Sequence, residues 1–195
     1  MLAADAPEKI RYWVKERNLS GMRVYTGGLT NRQSTSLSDP RTFPGWECAG
    51  ELGIPVSVSL RPEGSPQLLV LVKQFPQVRI IVDHLMDVPL EEGPPYAGAE
   101  ALFALARYGN VYLKLTSINI RALRKGKGSP ETFFPLLKKF GASRIAWGSN
   151  YPASEGTLKT LVSEAQTALA VLPERDREWI FARTAQSLYP VLANQ

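Results

Sequence analysis

Apolar positions along this chain follow two alternating rhythms. One is short runs, continuous or with every second residue apolar; the other is longer stretches with apolar residues three and four apart. The first predicts strands and the second helices. Asp5 and Pro7 open a helix in which Ile10, Trp13 and Val14 share one face. Met22 to Tyr25 reads as a strand with Arg23 and Tyr25 on the same side, because strand side chains alternate. Residues 27–44 hold Gly, Ser, Thr, Asn and Pro without apolar periodicity, so a loop is expected, of a length used for lids and binding. A short helix from Pro44 leads to a strand over residues 54–60, where Ser57 and Ser59 alternate with Val56, Val58 and Leu60. A helix over 65–75 follows, then a strand over 78–82 of the kind buried on both faces, ended by Asp83 and His84.

The same alternation continues to the end of the chain. A helix over 97–108 is capped by Gly109, and Val111 to Thr116 is a strand carrying Lys114 and Thr116. The basic run over 121–127 reads as a solvated loop. Ser129 and Pro130 start a helix that runs to Phe140, Ile145 to Trp147 is the fifth strand, and helices are expected over about 155–170 and 174–188. Helices alternating with single strands predict a parallel sheet and the α/β class. A complete eight-stranded (β/α) barrel takes ~250 residues, which this chain of 195 does not reach.

Composition narrows the function classes. Hydrophobic content of 44% and charged content of 21% are those of a globular domain. No apolar run approaches the ~20 residues of a membrane span, and residues 1–5 lack the basic and apolar regions of a signal peptide. A single cysteine, Cys48, excludes an internal disulfide framework. A soluble cytoplasmic protein is expected, with no membrane partner. The net charge of +5 is scattered and accompanied by no nucleic-acid motif or aromatic platform, so no nucleic-acid partner is expected.

Polar residues at the carboxyl ends of the strands are the candidates for chemistry, because parallel strands open there onto a shared crevice. Arg23 and Tyr25, Ser57 and Ser59, Asp83 and His84, Lys114 and Thr116, and Asn150 all fall at such ends. His84 is the single histidine, so no His-rich metal site can be built from this chain. It is either a hydrogen-bonded structural residue or a functional one beside Asp83. Lys114, in an otherwise apolar strand, either binds a carboxylate and polarises a carbonyl or extends its stem structurally. Arg23 either makes a bidentate anion contact or holds a neighbouring carboxylate.

Six stretches, in order, resemble one family. They are Gly21-Met-Arg-Val; Trp46 with Glu51-Leu-Gly-Ile-Pro-Val; Ile80-Ile-Val-Asp-His-Leu; Asn110-Val-Tyr-Leu-Lys-Leu-Thr; Arg144-Ile-Ala-Trp-Gly-Ser-Asn-Tyr-Pro; and Trp179 to Tyr189. The series is similar to the amidohydrolase-related TIM-barrel hydrolases (the amidohydrolase 2 group). Within it the match is to the lactonase-like branch of L-fuconolactone hydrolase and pyrone-dicarboxylate lactonase. The resemblance implies a partial (β/α) barrel over residues 1–195 as a single domain, with the first two βα units absent, and therefore a homo-oligomer or a chain completed by a missing segment. It implies hydrolysis of a small lactone or a cyclic or carboxylated ester. His84, Asn150 and Lys114 would be the catalytic residues; Arg23, Tyr25, Ser59, Thr116 and Tyr151 would bind a small anionic substrate. The family's His-x-His strand has no counterpart here, Met86 stands where Gly is usual, and Asn150 stands where the family has an Asp that acts as a general base or metal ligand. No cofactor is expected; the alternative is one weakly held divalent metal near His84. The other reading is a catalytically disabled remnant or subunit that binds a small acid or a protein partner.

Overall fold

Five strands pair in sequence order and all in parallel: β1 Met22–Tyr25, β2 Val56–Ser59, β3 Ile80–Val82, β4 Val111–Thr116 and β5 Ile145–Gly148. The structure is a computed structural model that describes residues 1–25, 37–125 and 130–193. The expected loop is therefore described only from Leu37, and Ser129, proposed as a helix cap, lies outside the described residues.

Strand alternation gives the sheet two different faces. Val56, Val58, Ile80, Val82, Val111, Leu113, Leu115 and Ile145 are buried in one continuous core. Their partners in that core come from α2 (Phe43–Glu51), α3 (Ser65–Gln74), α4 (Glu100–Ala104), α5 (Ser117–Lys125), α6 (Phe133–Phe140) and α7 (Leu158–Ala168). Trp46, Leu68, Leu102, Ile120, Leu136 and Ala165 are among them. The other face carries Arg23, Tyr25, Ser57, Ser59, Ile81, Lys114 and Thr116. Tyr25 stands opposite Ser59 in the register, and Thr116 opposite Gly148. This is an arc of a (β/α) barrel with its polar inner face open. A closed eight-stranded barrel needs three strands beyond these five, one more than the two missing units expected from the sequence. β1 and β5 are its two free edges among the described residues.

Three local expectations are corrected. The basic run after residue 120 is not a loop up to Lys125: it ends α5, whose Ile120 and Leu123 are buried while Arg124 and Lys125 stay outside. At the start of α1 (Ala6–Lys15), Asp5 occupies the cap position without making a cap hydrogen bond. It pairs instead with Lys9, one turn on, at 2.9 Å. The last helix is interrupted: α8 (Glu174–Glu178) and α9 (Thr184–Leu188) are joined through a wider π turn over Trp179–Arg183. No described helix is long and apolar enough to cross a membrane.

Candidate functional site

The site is built around the carboxylate that follows β3. Alternation places Ile81 and then Asp83 on the inner face, and the Asp83 side chain is fully buried. A buried carboxylate is costly unless paired, and the neighbouring strands supply the partners. Arg23 from β1 donates through Nε to Asp83 Oδ2 at 2.5 Å. Lys114 from β4 brings Nζ to 3.4 Å from Oδ1. That oxygen accepts no hydrogen bond, so the Lys114 contact is an ion pair at a distance too long for a good one. Gly148 makes room for this lysine: a Cβ there would lie 3.2 Å from Lys114 Cε. The Arg23 guanidinium also stacks over Tyr25, 4.4 Å from the ring centroid. Both cations take part, but Arg23 is engaged with Asp83, the second of the two roles its sequence allowed.

Past Asp83 the backbone turns left-handed for four successive non-glycine residues. His84, Leu85, Met86 and Asp87 have φ of 52°, 52°, 63° and 52°. Such a conformation costs an L-residue roughly 1–2 kcal/mol. The buried side chains of Leu85 and Met86 anchor the run from below. From the side it is held by Asn119 of α5, whose Nδ2 donates to the His84 carbonyl at 2.8 Å. Asn119 Oδ1 accepts from Thr116 N at 3.0 Å and from Thr116 Oγ1 at 2.9 Å.

These bonds decide the state of the imidazole. Since the Thr116 hydroxyl proton is directed at Asn119, its oxygen is left to accept from His84 Nδ1, 2.9 Å away. The network thus puts a proton on Nδ1, so that in the neutral ring the free lone pair is on Nε2. Burial holds the His84 pKa below its ordinary value; Asp83 and Asp87 oppose this, while Lys114 and Arg23 add to it. The ring is neutral at pH 7.

The remaining candidates are dispersed. Ser59 lies at the end of β2, in line with Tyr25. Asn150 lies just past β5 with φ of 55°; its Nδ2 donates to Ser154 Oγ at 3.1 Å and its carbonyl accepts from Ser154 N at 2.8 Å. Tyr151 is exposed, and its amide donates to Ser149 Oγ at 3.2 Å. So Arg23 and Lys114 meet on Asp83, and His84 and Thr116 meet with Asn119, two groups joined by the Asp83–His84 peptide, while the hydrogen bonds of Asn150 stay within its own turn.

Two participants went unnoticed in the sequence. Asn119 carries a faint signal: Thr116-Ser-Ile-Asn119 has the spacing of a capping box, in which the third helical residue reaches back to the cap amide. Tyr189, after α9, hydrogen-bonds Ser57, has its hydroxyl pKa raised mainly by burial, and packs its ring where a Cβ on Gly21 would meet it at 2.9 Å. Tyr189 ends the last of the six family-like stretches, but nothing in that stretch directs it toward Ser57.

Among the described residues, the donor set around His84 does not fit a resident divalent metal. Asp83 is engaged by two cations, which leaves His84 Nε2 without a second protein ligand. No group of three or more His, Cys, Asp or Glu side chains is gathered among the described residues, whereas a catalytic zinc takes three protein ligands.

A family model described as amidohydrolase matches residues 2–191. L-fucono-1,5-lactonase of Burkholderia ambifaria is 27% identical over 158 residues, which are 78% of this chain and 52% of that protein. The chain thus spans about half the length of this curated relative. Among solved structures, an amidohydrolase of Burkholderia multivorans with bound HEPES superposes with a TM-score of 0.76 at 17% identity, covering 97% of this chain and 70% of that one. A Pseudomonas putida protein provisionally described as a 2-pyrone-4,6-dicarboxylic acid hydrolase gives 0.73 at 22% identity, covering 94% and 67%. A dihydroxybenzoic acid decarboxylase of Polaromonas with bound manganese and an inhibitor gives 0.73 at 17%, covering 100% and 68%. These likenesses give the fold: five consecutive strands of a barrel.

Proposed function

This chain belongs to the amidohydrolase family, and on that premise we propose that it hydrolyses a small anionic lactone or cyclic ester without a resident metal. The observation that carries the reading is the contact of His84 Nδ1 with Thr116 Oγ1 at 2.9 Å, which turns Nε2 into the ring's free acceptor when the imidazole is neutral, beside a cluster in which Arg23 and Lys114 outnumber Asp83 by one charge. The relatives' printed activities, a fuconolactonase and a pyrone-dicarboxylate hydrolase, supply the substrate class.

His84 Nε2 takes a proton from water as the water oxygen attacks the ester carbonyl carbon. The Lys114 ammonium stabilises the developing oxyanion or the substrate's carboxylate. When the ring C–O bond breaks, the imidazolium returns the proton to the leaving alkoxide, and the product is an open hydroxy acid. Asp83 keeps Lys114 and Arg23 in place. Tyr25, Ser59, Asn150 and Tyr151 line the approach, Asn150 by orienting water or carbonyl rather than as a base, while the buried Thr116 acts through the His84 ring.

The test is hydrolysis of L-fucono-1,5-lactone and 2-pyrone-4,6-dicarboxylate by wild type, His84→Ala and Asn150→Asp, with and without zinc or manganese. Turnover that is indifferent to metal and falls at least about 100-fold in His84→Ala supports the proposal. The second reading, a disabled enzyme that still binds a small acid, is favoured by the amide at position 150, which donates to Ser154 and cannot take a proton from water. Activity in Asn150→Asp alone would establish that reading instead.

A further inference from the structure

We propose that Asn119 is the positioning residue of this site: its single carboxamide fixes which His84 nitrogen carries the proton and latches the left-handed run that presents the ring. The inference rests on reading His84 as the base, but its test does not depend on turnover.

Two structural jobs converge on one side chain. The acceptor, Oδ1, takes both the amide and the hydroxyl of Thr116. With its proton directed there, the Thr116 oxygen can only accept from the ring, which keeps the proton on Nδ1. The donor, Nδ2, reaches the carbonyl of His84 itself, 35 residues away in sequence. That second bond is no part of capping α5, for which the Thr116 amide contact suffices. It closes a ring of contacts from His84 Nδ1 through Thr116 and Asn119 back to the His84 main chain. An amide side chain carries its acceptor and its donor on two separate atoms, so it can serve both partners at once. A carboxylate would keep the first job and lose the second. The fixed tautomer is the opposite of the one free histidine prefers in water, so the site has something to enforce.

His84 is the chain's single histidine, so nitrogen-15 NMR of histidine-labelled, tag-free protein reads one ring. Wild type is expected to show Nδ1 protonated and Nε2 unprotonated above the ring's titration. Thr116→Val removes the acceptor and should move the ring to the Nε2–H form or to a mixture; Thr116→Ser should restore the wild-type state. Asn119→Asp should retain the Nδ1–H tautomer while increasing hydrogen exchange at the amides of residues 84–88. Asn119→Ala should lose both. Orientation by such supporting partners is commonly worth about 10- to 100-fold, so hydrolysis by Thr116→Val should fall by that factor in kcat with KM little changed. An Nε2–H ring in wild type, or an unchanged tautomer in folded Asn119→Ala or folded Thr116→Val, overturns the proposal. Should Asn119→Ala fail to fold, the Thr116 pair decides alone. A correct tautomer response in a protein that hydrolyses nothing would leave Asn119's positioning role intact and remove only the hydrolase reading.

Discussion

At the amino end of the sheet, Arg144 directs its guanidinium at main-chain carbonyls: Phe140 at 2.9 Å, Tyr108 at 2.8 Å and Ala106 at 3.0 Å. At the carboxyl end, Arg23 meets a buried carboxylate that a lysine also approaches. Asn110 and Asn119 divide the same way. Asn110 gathers the carbonyls of Val78, Val72 and Phe75 at 3.2–3.3 Å and joins loops that do no more than hold strands. Asn119 holds a hydroxyl and a strained carbonyl beside the imidazole. One end satisfies its main-chain groups with fixed side chains. The other keeps charges on each other, one carboxylate oxygen without a hydrogen bond, and four left-handed residues. In a (β/α) barrel such an asymmetry separates the end that stabilises from the end that reacts.

The largest test of that division sets Asp83→Asn against Arg144→Ala. Removing the Asp83 charge leaves Arg23 and Lys114, each about a third exposed, without their buried partner, so the cost should lie near the low end for a broken buried ion pair, about 3 kcal/mol. Arg144→Ala strands carbonyls rather than charges and should cost about 2–3 kcal/mol. Denaturant titration gives both numbers. Turnover measured per folded molecule should vanish in the first and persist in the second; a folded Arg144→Ala without turnover would break the comparison.

The division also explains what could be read from the chain. Strands such as Val111–Thr116 announce themselves by alternation, and the parallel α/β class follows from spacing alone. Candidates at strand ends were legible for the same reason: Arg23, His84, Lys114 and Thr116 do converge. What sequence does not carry is which charge meets which. Arg23 could face substrate or carboxylate until the β1 to β3 spacing fixed it on Asp83. The second half of α5 reads as a loop because Arg121, Arg124 and Lys125 outnumber its one buried apolar residue, Leu123. Tyr189 is brought to Ser57 only by the return of the chain end.

A pH series sharpens the carboxyl end further. Burial, the main cause, depresses the His84 pKa in the folded chain, with Lys114 and Arg23 adding to it and Asp83 and Asp87 opposing. Hydrolysis needs the neutral ring, so its acid limb should lie below about 6.5, the ordinary histidine value. The sign for stability is the same. From about 6.5 downward the unfolded chain takes up a proton that the folded chain resists, so stability falls as pH drops through that window and levels off below the folded pKa. His84→Gln should remove this slope while leaving the shallower dependence contributed by carboxylates. An acid limb above 6.5 would mean the burial effect is outweighed by the carboxylates.

The smallest expected effects come from two glycines flanking β5, and they should differ in kind. Gly141, before the strand, has φ of 77° with open space around its α-carbon. Alanine there meets no neighbour but must hold φ of 77° with ψ of 150°, a region used almost only by glycine, so Gly141→Ala should cost about 1–3 kcal/mol and leave KM alone. Gly148, at the strand's carboxyl end, has no such backbone demand, and its added methyl would stand 3.2 Å from Lys114 Cε. The lysine stem must give by a few tenths of an ångström, which moves the ammonium relative to Asp83. Stability should change by no more than about 1 kcal/mol, since a residue less flexible than glycine also restricts the unfolded chain. The KM for a carboxylated lactone should rise, whereas that for a neutral lactone should not. Equal KM values for both substrates in Gly148→Ala would mean that Lys114 serves the carbonyl rather than the carboxylate. An unchanged KM with unchanged kcat would place Lys114 with Arg23, as a holder of Asp83 and nothing more.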